Sequence, residues 1–70
     1  MRISARNILE GTVVEVVRGA TTAHVRLEVS PGTIITASIT NEAVDQLGLV
    51  AGQPASAVIK ASDVMIAVDD

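Results

Sequence analysis

Two short polar clusters stand out in a chain otherwise built of alternating apolar residues: Ser4-Ala5-Arg6-Asn7 near one end and Lys60-Ala61-Ser62-Asp63 near the other. Each sets a cation beside a hydroxyl. Arg offers a rigid fork of donors, Lys a compact ammonium and Ser an orientable hydroxyl, while Ala or Ser in a loop leaves the backbone N–H accessible. Brought together by the fold, or by an assembly of copies, these groups all donate hydrogen bonds. The ligand they match is an oxyanion, whose every oxygen accepts, because charge-assisted bonds to Arg and Lys offset the desolvation of a dianion. Spacing alone equally allows Arg6 and Lys60 to be ordinary solvated charges.

The elements that must position these clusters are mostly strands. Ile8 to Arg18 is rich in β-branched residues and is closed by Gly19-Ala20. It reads as a strand with Val13, Glu15 and Val17 on one face and Thr12, Val14, Val16 and Arg18 on the other, both faces largely apolar and covered. Gly11 marks a bulge or a sharp bend. Thr21 to Ser30 alternates more cleanly, with Ala23, Val25, Leu27 and Val29 inward, as a half-buried antiparallel strand. His24, on its polar face, is the single histidine; with no second ligand in sight it reads as a solvated strand residue. Ser30-Pro31-Gly32-Thr33 is a turn signal, Pro presetting φ and Gly accepting a positive φ. A third strand follows, with Ile35, Ala37 and Ile39 inward and Thr36, Ser38 and Thr40 in a hydroxyl row.

At Thr40 the period changes. Thr40 or Asn41 caps a short helix through Leu47, Glu42 complements its dipole, Val44 and Leu47 form the apolar stripe and Gly48 ends it. Because helix N-termini attract anions, Thr40 joins the candidate site residues. After a loop from Leu49 to Pro54, Ala55, Ala57 and Ile59 alternate with Ser56, Val58 and Lys60 as a fourth strand. Val64, Ile66 and Val68 alternate with Met65 and Ala67 as a fifth, stopped by Asp69 and Asp70. Five short strands with one helical turn after the third predict an all-β fold with one short helix, a five-stranded Greek-key barrel of the OB type, in a single domain spanning residues 1–70.

Composition narrows the function. A chain of 70 residues buries only about 60% of the surface it exposes unfolded. It has no cysteines for disulfides, no Cys/His cluster for a structural metal and no aromatic residue, so oligomerisation is the staple left to it. Hydrophobic residues at 49% against charged residues at 19% point the same way. A net charge of −3 and a pI near 4.8 argue against a general nucleic-acid binder, and missing aromatics argue against single-strand binding by base stacking. The N-terminus runs straight into polar residues, so no signal peptide is expected. No apolar run approaches the roughly 20 residues of a membrane span, so a soluble, cytoplasmic protein is expected. There is no Ser/His/Asp grouping of plausible spacing and no phosphate loop of P-loop form, which points to a binding protein and not an enzyme.

Ser4-Ala5-Arg6-Asn7, Gly11, Ile39-Thr40 leading to Leu47-Gly48-Leu49 and Gly52, then Ala57-Val58-Ile59-Lys60-Ala61-Ser62-Asp63-Val64-Met65, in that order and spacing, resemble the molybdate-binding Mop domain, also called molbindin, of the TOBE/Mop family. The resemblance covers nearly the whole chain. It implies a five-stranded OB-like subunit assembled as a hexamer, a trimer of dimers, that binds molybdate or tungstate between subunits and needs no other cofactor. The ligand contacts it implies are Ser4, Ala5, Arg6, Thr40, Lys60, Ala61 and Ser62. Where relatives often carry a serine in the helix's first turn this chain has Ala43, which implies one hydroxyl donor fewer. Storage, buffering or delivery of molybdate is the implied role. The alternatives are a structural oligomeric module without anion binding and a sensor subunit acting through a protein partner.

Overall fold

In the computed structural model, which describes residues 1–69, the chain forms strands β1 (Asn7–Arg18), β2 (Thr22–Ser30) and β3 (Thr33–Thr40), helix α1 (Asn41–Leu47), strand β4 (Pro54–Ile59) and a 3-10 turn over Ala61–Asp63. Asp70, expected from the sequence to help end a fifth strand, lies outside the described residues. The strands make one antiparallel sheet in the order β3-β2-β1-β4. Three consecutive strands with the fourth returned beside the first are the Greek-key arrangement expected.

Strand β1 organises the sheet because it serves two partners. Its first half, Asn7 to Thr12, pairs with β4, and its second half, Thr12 to Arg18, pairs with β2. Gly11 sits just before the handover. A Cβ there would lie 2.3 Å from the Glu28 carbonyl oxygen, so what this position requires is the absence of a side chain where two backbones approach. The bulge falls later, between Val13 and Glu15. The extra residue, Val14, resets the side-chain period: Val13 is buried, Val16 packs on the core, and Val14 and Val17 are exposed. Val17 therefore does not share the inward face with Val13, and the outer face of β1 is not covered within the chain.

The hairpin of β2 and β3 forms as its residues dictate. Ala23, Val25 and Leu27 are buried, and Gly32 in the connecting turn has φ of 80°. Ile35 and Ile39 are half-buried, as expected for inward residues. Ala37 is exposed, because the trough it lines is open along that edge.

Helix α1 is set by its ends. The Thr40 hydroxyl accepts from the Ala43 N–H at 3.0 Å, and Gly48 closes the helix in the left-handed region at φ 61°. The Gly48 N–H donates to the Asp45 carbonyl and the Leu49 N–H to the Val44 carbonyl, both at 3.1 Å, which is the Schellman pattern. That motif folds the residue after the glycine back onto the last helical turn. Leu49 accordingly packs against the core beside buried Val44, while Leu47, expected in the apolar stripe, is 62% exposed.

The core is Val13, Ala23, Val25, Leu27 and Val44, joined at its edge by Val16, Val29, Ile39, Leu49, Ala55 and Ala57. Among the described residues no fifth strand forms. Residues 64–69 enter no ladder, and Met65, Ile66 and Val68 are more than four-fifths exposed. Alternation encodes which face of a segment is apolar, not which strand lies alongside it. The edges of β3 and β4 thus stay unpaired, and between them runs an apolar trough of about 490 Å³ floored by Val13, Val25 and Leu27 and flanked by Ile39, Ala57 and Ile59. Among the described residues, no helix is long and apolar enough to cross a membrane.

Candidate oxyanion site

The two polar clusters, more than fifty residues apart in sequence, meet at one end of the sheet. Asn7, the first residue of β1, pairs directly with Ile59, the last of β4. Ser4-Ala5-Arg6 therefore leads into the rung from which Lys60-Ala61-Ser62 departs, and Arg6 and Lys60 occupy the next position on each segment. All but Ala5, which is half-buried, are exposed.

The local backbone gives these residues their donors. Beyond Lys60 the chain tightens into the 3-10 turn, with the Asp63 N–H donating to the Lys60 carbonyl at 2.9 Å and the Val64 N–H to the Ala61 carbonyl at 3.3 Å. The first N–H groups of such a turn have no partner inside it, which leaves those of Ala61 and Ser62 available. The cations are uncommitted too. Arg18 is held by Asp45 at 2.5 Å and Arg26 lies 3.8 Å from Glu15, whereas neither Arg6 nor Lys60 makes an ion pair among the described residues. Two neighbouring cations, hydroxyls and free amides can together receive an anion with several acceptor oxygens. No group of His, Asp and Glu suited to a metal cation occurs among the described residues.

Thr40 is not part of this constellation in one chain. It pairs with Thr22, one step past the rung that joins Ala23 to Arg18, the far end of β1. About 36 Å of strand separates the two ends at the usual rise of about 3.3 Å per residue, since β1 runs over 12 residues. The Asn7–Ile59 rung sets the two segments that carry six of the seven residues singled out from the sequence at one end of the sheet, and Thr40 lies at the other. Asn7 is the neighbour the candidate set omitted: its side-chain amide donates to the Ile59 carbonyl at 3.2 Å. Its place beside Arg6 in the polar cluster was the available signal.

Residues 3–66 match the model of the TOBE domain. The chain belongs to this family. Molybdenum-pterin-binding protein 1 of Clostridium pasteurianum is 48% identical over 66 residues, covering 94% of this chain and 97% of that protein. The molybdenum transport protein ModE of Herbaspirillum seropedicae is 53% identical over the same share of this chain, which spans only 24% of ModE's length. Among solved structures, the molybdate-binding protein from Sporomusa ovata superposes with a TM-score of 0.91 at 38% identity, over 97% of this chain and all of that one. The cytoplasmic molybdate-binding protein ModG, solved with molybdate bound, gives a TM-score of 0.89 at 55% identity, over 93% of this chain and 46% of that one. The all-β, OB-like fold with one short helix is thus shared with molybdate-binding proteins.

Proposed function

We propose that this chain binds molybdate or tungstate, as an oxyanion and without another cofactor, for storage, buffering or delivery in the cytoplasm. The observation that carries the reading is the Asn7–Ile59 rung, from which the segments holding Arg6 and Lys60, neither in an ion pair among the described residues, depart at neighbouring positions, with Ser4, Ala5, Ala61 and Ser62 next to them in sequence. Kinship with proteins described as molybdate-binding supports the choice of anion. A protein that receives its ligand through fixed donors alone needs no catalytic group, so we read it as a binding protein and not an enzyme.

The separation of Thr40 from the other six residues supports sites completed between copies, in which Thr40 of one subunit meets the Arg6 and Lys60 end of another. Assembly is supported independently by the exposed apolar surface. Ile8, Val14, Val17 and Val58 on the sheet and Val64 to Val68 in the tail leave more unburied hydrocarbon than a small monomer ordinarily shows. The open edges of β3 and β4 and their apolar trough suit an added strand from a second copy's tail. A hexamer built as three dimers, occupied by oxyanion and without nucleic-acid or membrane partners, is the assembly we assign. Ala43 leaves the first turn of α1 without a hydroxyl, so the Thr40 side of the site relies on Thr40 itself.

Calorimetric titration with molybdate, tungstate and sulfate, alongside light-scattering mass, tests the proposal. Molybdate and tungstate, of nearly equal size, should bind alike, and sulfate at least about tenfold more weakly, because a smaller ion leaves some donor unpaired and one lost hydrogen bond is worth about that factor. Sulfate displacing molybdate at equal concentration would leave a site that reads charge alone. A stable monomer with no anion uptake would instead favour a purely structural module.

A further inference from the structure

We infer that Asn7 is a positioning residue for the oxyanion site, its side chain acting as a clasp that fixes the separation of Arg6 and Lys60. The inference rests on the oxyanion reading above. Asn7 donates from Nδ2 to the Ile59 carbonyl at 3.2 Å in a partly buried bond, the one side-chain hydrogen bond among the described residues that joins β1 to β4. Its place is the terminal rung of that ladder.

Strand ends are where ladders open first. Here the opening force is larger than usual, because the next position on each segment carries a cation and like charges facing one another across a strand pair are destabilising. Neither cation has an acidic partner among the described residues to relieve it. A strand end with no ligand to hold could let the two segments part, and the cations would separate into water. Instead a side chain binds the opposite backbone at the last rung before the charges. The Asn7–Ile59 bond thereby fixes the strand end from which Arg6 and Lys60 both depart. Because the clasp sets their spacing, it also sets the size of anion that both can reach.

Titration of the assembled full-length chain with sodium molybdate, and displacement of molybdate by sodium sulfate, distinguishes this role from simple strand-end stability. In Asn7→Ala the molybdate affinity should fall about tenfold, the sulfate affinity should change by less than about twofold, and the ligand-free melting temperature should stay within about 4 °C of the parent, the shift that about 1 kcal/mol produces at the low end for a domain this size. Equal losses for both anions, no loss for either, or a large fall in the ligand-free melting temperature with affinities intact would overturn the clasp. Should Asn7→Ala fail to assemble, Asn7→Gln, with the same amide at longer reach, is measured instead with the same expected narrowing between the anions. Failure of both to assemble makes Asn7 a folding residue and also overturns it. A parent protein that takes up no molybdate overturns the oxyanion reading and the clasp together, whereas a parent that binds and an Asn7→Ala variant that binds and discriminates equally well overturns the clasp alone.

Discussion

Replacing Gly11 by alanine adds a single methyl group at the point where β1 passes from one partner strand to the other. That Cβ would lie 2.3 Å from the Glu28 carbonyl oxygen, 2.9 Å from the Glu28 carbonyl carbon and 3.1 Å from the Val29 Cα. All three are backbone atoms, so no side chain can swing aside and a strand must move. The neighbouring rung, Thr12 with Glu28, is the first of the β1–β2 ladder and would be strained by that movement. Overpacking of this kind costs about 1–3 kcal/mol, and a weakened ladder bond adds about 1 kcal/mol. Gly11 does not have a positive φ, so alanine also restricts the unfolded chain and returns about 0.4–1 kcal/mol. The balance is about 2 kcal/mol of destabilisation, which lowers the melting temperature of a domain this size by about 8–16 °C. Thermal unfolding followed by circular dichroism at one fixed protein concentration measures it, since dissociation would make the midpoint concentration-dependent. A Gly11→Ala protein melting within about 2 °C of the parent would show that the close approach of β1 and β2 carries no steric demand.

Arg6→Ala and Lys60→Ala should each weaken molybdate binding by about 2–5 kcal/mol in calorimetric titration, the usual result of removing one charged partner of a bound ion, with the light-scattering mass unchanged. Parental affinity in both would move the site elsewhere. Thr40→Asp should keep the helix, because a carboxylate accepts the Ala43 N–H as the hydroxyl does, yet lose molybdate by adding negative charge where a donor is needed. Circular dichroism with titration separates the two effects, and a Thr40→Asp variant that binds normally would remove Thr40 from the site. Asp45→Ala breaks the ion pair with Arg18, but side chains 48% and 66% exposed make that pair worth no more than about 1 kcal/mol, so circular dichroism should show the melting temperature falling by no more than about 4–8 °C.

Much of this architecture is written locally. The strict alternation from Thr22 to Val29, the Pro31-Gly32 turn and the Thr40 and Gly48 caps each settle their own geometry within a few residues, and β2, β3 and α1 follow directly from them. The course of β1 was less legible. Nothing in Val13-Val14-Glu15 announces a bulge, because any of three β-branched or extended residues could be the one left unpaired, and one extra residue turns Val17 from inside to outside. Leu47 misleads for a related reason: helical spacing points it inward, but the turn after Gly48 gives its place to Leu49. Val64 to Val68 has the pattern of a strand and none of the information about a partner, which no property of the segment itself contains. The site was legible as chemistry, six donors in two clusters; the distance of Thr40 from them depends on strand register and could emerge only from the fold.

The rung that joins Asn7 to Ile59 also places the site late in the molecule's own assembly. Arg18 and Ala23 need close only five residues of chain, whereas Asn7 and Ile59 must close fifty-two. At about 0.6 kcal/mol for each doubling of loop length, the longer closure costs about 2 kcal/mol more entropy before any contact rewards it. The β1–β2–β3 meander can form from near neighbours and supplies the surface on which β4 docks, as expected when non-local pairing limits the rate. A chain emerging residue by residue would thus have most of its sheet while Arg6 was still without Lys60, and the anion site would come into existence with the last strand pair to close.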